Sequence, residues 1–192
     1  MKILLIDNFD SFTYMLRDYL LQAGAICVVV RNDVLTEKEI EAIKPDAVVI
    51  SPGPGRPADA GLLMKVLPFI VQSYPVLGVC LGHQAIGEFW GAELGLATAP
   101  KHGKVDTIYC SSRQLFDGMK EFSATRYHSL ILTQLGDSLE LQAWTRDNEA
   151  MAIKHKNLPV WGIQFHPESC LTKDGMKIIQ NFLKEVKTLA SV

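Results

Sequence analysis

Four short apolar runs, Ile3 to Ile6, Ile26 to Val30, Ala47 to Ile50 and Val76 to Val79, are separated by amphipathic stretches that begin near Ser11, at Glu37 and near Ala60. Each run is too short for a helix and too apolar for a surface loop. Strands that alternate with helical segments run parallel, and their apolar side chains need covering on both sides. The rhythm therefore predicts an α/β fold: an open, mostly parallel, doubly wound sheet with helices on both faces. Local signals agree. Thr36 followed three residues later by Glu39 forms a capping box at the start of the second helix, and Gly24 stands where the first helix needs a left-handed C-terminal residue.

Beyond a helix spanning His83 to Phe89 the pattern changes. Glycine-rich Gly91 to Gly95 and the Ala97-Thr98-Ala99-Pro100 stretch break the rhythm, and the second half reads as strand-rich, with strands at Val105 to Tyr109, Leu139 to Trp144, Met151 to Lys154 and Val160 to Phe165. An amphipathic helix from about Lys173 to Leu189 ends the chain, with Ile178, Ile179, Phe182, Leu183 and Val186 on one face. The 192 residues carry no repeat or linker and are expected to form one domain, 1–192.

A net charge of −2 and a pI near 6.2 offer no electrostatic footing for nucleic acid or an anionic membrane surface. No apolar run approaches the ~20 residues of a spanning helix, and Asp7 interrupts the N-terminal run too early for a signal peptide, so a cytoplasmic protein is expected. Cys27, Cys80, Cys110 and Cys170 lie far apart, and the five histidines are scattered. Neither a disulfide framework nor a metal-ligand cluster is indicated, and no cofactor or metal is expected on this chain.

The chemistry concentrates at two places. Gly78-Val79-Cys80-Leu81-Gly82 sets a cysteine on a strand-to-helix turn, the geometry that exposes a nucleophile above a sheet and aims the first helix amides at it. Glycines two positions to either side of Cys80 remove Cβ atoms that would clash there. Far downstream, Phe165-His166-Pro167-Glu168 supplies a base and a carboxylate two residues on, suited to fixing the tautomer of the ring. Alone, a cysteine at a strand end is a small core residue and His-Pro-Glu a turn; their joint occurrence at strand ends points to a Cys80–His166–Glu168 triad. Ser51-Pro52-Gly53-Pro54-Gly55 follows a third strand. In an open α/β sheet all three would converge at the carboxyl edge, where such folds bind ligands.

These blocks, with Asp7-Asn8-Phe9-Asp10-Ser11-Phe12-Thr13-Tyr14, His83-Gln84, His102-Gly103-Lys104, Arg126-Tyr127-His128-Ser129-Leu130 and Gln164 to Ser169, resemble the class I glutamine amidotransferases over nearly the whole chain. The likeness is to their chorismate-linked branch, the glutaminase subunits of anthranilate and aminodeoxychorismate synthases. The resemblance implies that Cys80 attacks the side-chain amide of L-glutamine to form a thioester and release ammonia, with His166 as acid and base and Glu168 as its orienting carboxylate. The backbone N–H groups of Leu81 and Gly53 would form the oxyanion hole. Substrate would lie against Gly53, Pro54, Gly55, Leu81 and Gln84 and the backbone of Ser129 and Leu130. The nearby Arg126 and His128 read equally well as loop anchors.

No group in the chain can accept ammonia, so the resemblance also implies a hetero-oligomer with a larger chorismate-binding subunit, component I, which would carry Mg2+. The Asp10 to Tyr14 segment reads either as a contact surface for that subunit or as a helix start with buried aromatics. Met15 and Cys170 depart from the family pattern, and Gly55 leans toward the anthranilate branch without excluding the other. Two alternatives stay open: the glutaminase subunit of another synthase, and a non-catalytic module of the same fold.

Overall fold

The computed structural model describes residues 1–191, the side chains of 98–102 excepted, so the His102 side chain of the His102-Gly103-Lys104 block lies outside the described residues. The parallel half of the fold runs β1 (Lys2–Asp7), α1 (Thr13–Gln22), β2 (Ile26–Arg31), α2 (Glu37–Ile43), β3 (Ala47–Ile50), α3 (Leu63–Ser73), β4 (Val76–Val79) and α4 (Leu81–Phe89). There follow β5 (Glu93–Cys110), β6 (Glu121–Gln134), β7 (Leu139–Thr145), β8 (Ala150–His155), β9 (Val160–Ile163) and α5 (Gly175–Ala190). All strands join one sheet in the order β2-β1-β3-β4-β9-β8-β7-β5-β6. It is parallel from β2 to β9 and antiparallel from β9 to β6.

Alternation along β1 explains why helices cover both faces. Ile3 and Leu5 pack with Leu16 and Leu20 of α1 and Ile178, Phe182 and Val186 of α5, whereas Leu4 and Ile6 pack with Ile40 of α2, Leu67 and Ile70 of α3 and Ile86 of α4. The capping box forms as expected: Thr36 Oγ1 accepts from Glu39 N at 3.3 Å, and Glu39 Oε2 accepts from Thr36 N at 2.7 Å. Gly24 takes φ +87° past the end of α1.

Three sequence expectations are corrected. The segment from Gly91 through Pro100 is no simple break, because β5 begins at Glu93 and absorbs its turn-forming residues at register shifts between Leu96 and Lys101 and between His102 and Lys104. Strand β6 lacks the apolar alternation of a half-buried strand, since it buries Thr125, Arg126 and His128; these two basic residues are therefore strand residues rather than loop anchors. Finally, β9 stops at Ile163. The next residues peel away, and His166 bridges to Thr125 of β6, its N–H donating to the Thr125 carbonyl at 3.1 Å.

Candidate active site

Cys80 occupies the junction of β4 and α4 at φ 52°, ψ −100°, a conformation costly for any residue with a Cβ. The surroundings enforce it. Its N–H donates to Ile163 O at 2.8 Å, and its carbonyl accepts from Gln84 N at 3.0 Å. A Cβ at Gly78 would lie 2.4 Å from the Gly82 backbone, and one at Gly82 would lie 2.7 Å from Ile50 O. Neither flanking glycine can carry a side chain without driving α4 off the sheet, so the glycine spacing around the cysteine is a packing requirement of the turn.

His166 is 2% exposed and Glu168 fully buried. The His166 Nδ1 stands 2.7 Å from Glu168 Oε1, and the loop carrying both is tied to β6 and Thr172. Thr172 Oγ1 donates to His166 O at 2.7 Å and accepts from Thr125 N at 3.0 Å. The rings of Phe12 and Tyr127 pack edgewise on the imidazole, with centroids 5.0 and 5.2 Å away. The opposite ring nitrogen, Nε2, is buried and forms no hydrogen bond of normal geometry, although the Cys80 sulfur interacts with the ring. Burial would depress the basicity of His166; the sulfur and the Glu168 carboxylate outweigh it and push its pKa up to about 10. The ring thus holds a proton beside the sulfur.

A second contact to the sulfur was not expected from the sequence. Gln164 is fully buried, and its Nε2 lies 3.6 Å from Cys80 Sγ. The direction of this contact follows from its neighbours. Leu130 O can only accept, so Gln84 presents Nε2 to it at 3.1 Å; the same nitrogen donates to Gln164 Oε1 at 3.1 Å, which leaves Gln164 Nε2 to donate to the sulfur. Gln84 consequently keeps its carbonyl oxygen free of these bonds, an acceptor suited to an ammonium group. Only the placement of Gln164 two residues before His166 hinted at such a role.

A cavity of about 160 Å³ opens at this edge, lined by Gly53, Pro54, Gly55, Cys80, Gln84, Tyr127, His128, Ser129 and Leu130. A larger hollow of about 300 Å³ lies at the amino ends of β3, β4 and β9, beside Asp46, Pro75 and Pro159, away from any reactive group. The Gly53 loop is held over Cys80 by the end of β1: Asn8 N donates to Ser51 Oγ at 2.9 Å and Asn8 Nδ2 to Ser51 O at 2.8 Å. A Cβ at Gly53 would fall 2.5 Å from Leu81 Cδ2 and 2.6 Å from Asn8 Cβ, so only glycine lets the loop close onto the start of α4. Among the described residues, neither Gly53 N nor Leu81 N donates to a backbone carbonyl.

Asp7 organises the first block rather than the cavity, accepting from Phe9 N at 2.9 Å and from Thr13 Oγ1 at 2.9 Å. The Asp10 to Tyr14 segment divides between its two readings. Phe12 turns inward onto His166, whereas Tyr14, with Phe9 and Met15 beside it, is exposed.

Two further histidines are buried here as neutral rings. Burial lowers the His83 pKa to about 4 against a small opposing effect of the Gly162 backbone. Burial and then Arg126 lower that of His128 to about 3. Both rings would take a proton on unfolding below pH ~6.5 but not in the folded protein, so stability is undiminished above that pH and is lost as the pH falls toward 4 for His83 and toward 3 for His128. Denaturant unfolding at pH 7 and pH 4.5 should show a loss on the order of 3 kcal/mol per ring at full effect. A flat profile would contradict their neutral burial.

Among the described residues, no group of three or more His, Cys, Asp or Glu side chains is placed to hold a metal, and no helix is long and apolar enough to cross a membrane.

The comparisons with known proteins agree on one family. The family profile described as glutamine amidotransferase class-I matches residues 4–186. Anthranilate synthase component 2 of Thermus thermophilus is 43% identical over 189 residues, covering 96% of this chain and 93% of that one. Aminodeoxychorismate/anthranilate synthase component 2 of Bacillus subtilis is 43% identical over 185 residues, covering 95% of each. Among solved structures, a putative GMP synthase subunit from Thermoplasma acidophilum superposes with a TM-score of 0.90 at 26% identity, over 100% of this chain and 96% of that one. A protein built on this sheet, with a match across nearly its whole length, belongs to the class I glutamine amidotransferase family.

Proposed function

We propose that the protein is the glutaminase subunit of a chorismate-using synthase, with Cys80, His166 and Glu168 as its catalytic residues. The observation that carries this reading is a buried imidazole, hydrogen-bonded to a buried carboxylate and protonated beside a cysteine at a helix start that opens into a small polar cavity. Glutamine enters with its α-ammonium toward Gln84 Oε1 and its backbone groups along Ser129 and Leu130. The sulfur, its proton held by His166, attacks the side-chain amide carbon, and the resulting oxyanion is received by the N–H groups of Gly53 and Leu81. His166 gives its proton to the departing nitrogen, so ammonia leaves and a γ-glutamyl thioester remains. Water, deprotonated by His166, then adds to the thioester, expelling the sulfur and yielding glutamate. The sum is glutamine plus water to glutamate plus ammonia. The aromatic walls of Phe12 and Tyr127 keep bulk water from the ring.

Ammonia is useful as a nucleophile only while unprotonated, so its acceptor must lie close to where it is released. The relatives at 43% identity are named as second components of synthases, which supports a first-component subunit as the partner; its use of chorismate rests on the sequence resemblance. By the same resemblance, the Mg2+ of the synthase reaction is assigned to that subunit. The exposed apolar side chains of Phe9, Tyr14 and Met15, close in sequence to the Phe12 ring that packs on His166, are the candidates for contact with that partner. The likeness to a GMP synthase subunit favours a guanylate-forming partner instead, but at 26% identity it is the weaker guide.

Reconstitution decides between them. Mixed with a component I subunit, chorismate, Mg2+ and glutamine, the protein should support formation of anthranilate, 4-amino-4-deoxychorismate or both. Failure to form either, with activity restored by a guanylate-forming partner, would replace this reading.

A further inference from the structure

Beside the cavity, whose lining includes His128, a charged cluster surrounds the buried Arg126, and the reaction does not use it. Arg126 on β6 is 1% exposed; its Nη1 donates to Asp106 Oδ2 of β5 at 2.8 Å and its Nη2 to Glu149 Oε2, just before β8. Its third nitrogen, Nε, donates to His128 Nε2 at 3.1 Å. A guanidinium has no acceptor, so His128 Nε2 must be the unprotonated nitrogen. The ring proton then sits on Nδ1, which donates to Leu130 O at 3.0 Å. That same carbonyl accepts Gln84 Nε2. Both of its lone pairs are thereby used by protein donors, and the orientation of the Ser129–Leu130 backbone is set by them.

We propose that Arg126 and His128 are positioning residues for the amino-acid end of the substrate, Arg126 selecting the His128 tautomer and His128 fixing the Leu130 carbonyl on which Gln84 is anchored. The inference rests on the glutaminase reading above and extends it to residues that touch no reacting atom. Two carboxylates hold the guanidinium flat and leave only its Nε edge for the histidine, which a lysine could not imitate. Without the His128 donor, the Leu130 carbonyl has one free lone pair, Gln84 loses its fixed direction, and glutamine meets a looser cradle while the sulfur and His166 remain as they were.

Steady-state glutaminase kinetics of the reconstituted complex test this. His128→Leu should raise the KM for glutamine roughly ten-fold, the scale of one buried hydrogen bond left unmade, with a much smaller change in kcat. His128→Asn keeps a donor near the Nδ1 position and should recover most of that loss. Arg126→Lys preserves the charge against Asp106 and Glu149 but not the Nε donor; it should raise KM in the wild-type background and add little to His128→Leu, since both act through one carbonyl. Equal KM in wild type and His128→Leu, equal damage in the Leu and Asn variants, or additive effects of Arg126→Lys and His128→Leu would each overturn the assignment while wild-type turnover of glutamine left the glutaminase reading standing. A wild-type complex that released no glutamate would overturn both.

Discussion

Replacing Cys80 with alanine should abolish glutamine-dependent synthesis by the reconstituted complex, a loss on the order of 10⁴-fold or more, while synthesis from added ammonium salts continues at the wild-type rate. The expectation follows from the proposed division of labour, in which the sulfur forms the covalent bond to the substrate on this subunit and the partner needs only ammonia. Alanine retains the Cβ and so the packing demands of the turn at φ 52°, ψ −100°, which keeps the fold a fair control. Cys80→Ser offers a hydroxyl, far harder to ionise than a thiol, and should be nearly as inactive. The check is to measure product from glutamine and from ammonia in parallel. If the ammonia reaction disappears with the glutamine reaction, the sulfur is serving the assembly rather than the chemistry.

Glu168→Gln is expected to have the second-largest effect, a fall in glutaminase kcat of up to about 10⁴-fold, the scale for neutralising the buried carboxylate behind a catalytic histidine. The amide fills the same space, but it neither holds the imidazolium nor dictates which ring nitrogen faces the sulfur. A linked change in pH dependence separates this role from a packing defect. In the folded protein His166 keeps its proton up to about pH 10, above the ordinary histidine range, so its protonation contributes stability that is complete below pH ~6.5 and is lost as pH rises toward 10. With Glu168 neutral, a principal cause of the raised value is gone, and the slope of stability against pH across that interval should flatten. Unfolding curves between pH 7 and 9.5 measure it. Parallel slopes in wild type and Glu168→Gln would mean that the carboxylate does not act on the ring.

Much of the active edge was legible because its parts are local. The turn at Cys80 announces itself through an apolar run, two glycines and a helix start, all within a few residues. The pairing of His166 with Glu168 needs only a proline between them. Gln164 was not legible, although it adjoins the same block, because a buried glutamine has no pattern of its own; its meaning depends on Gln84 and Leu130, which approach from α4 and β6. The same holds for Arg126. In the chain it is a basic residue among polar ones, and only β5 and the turn before β8 bring the two carboxylates that make its burial tolerable. Strand β6 was missed for that reason too, since its buried face is held by hydrogen bonds and ion pairs rather than by apolar side chains.

Short-range periodicity, turn chemistry and excluded volume were enough to determine the parallel half of the sheet, the strained cysteine and the histidine–carboxylate pair, because each of these depends on neighbours a few residues away. Tertiary structure alone decided that β6 joins the Cys80 turn in lining the cavity, that Gln164 reaches the sulfur, and that Arg126 donates to His128. Those relations join residues dozens of positions apart, and a hydrogen bond acquires its direction only when donor and acceptor have been brought within about 3 Å by the packing of everything between them.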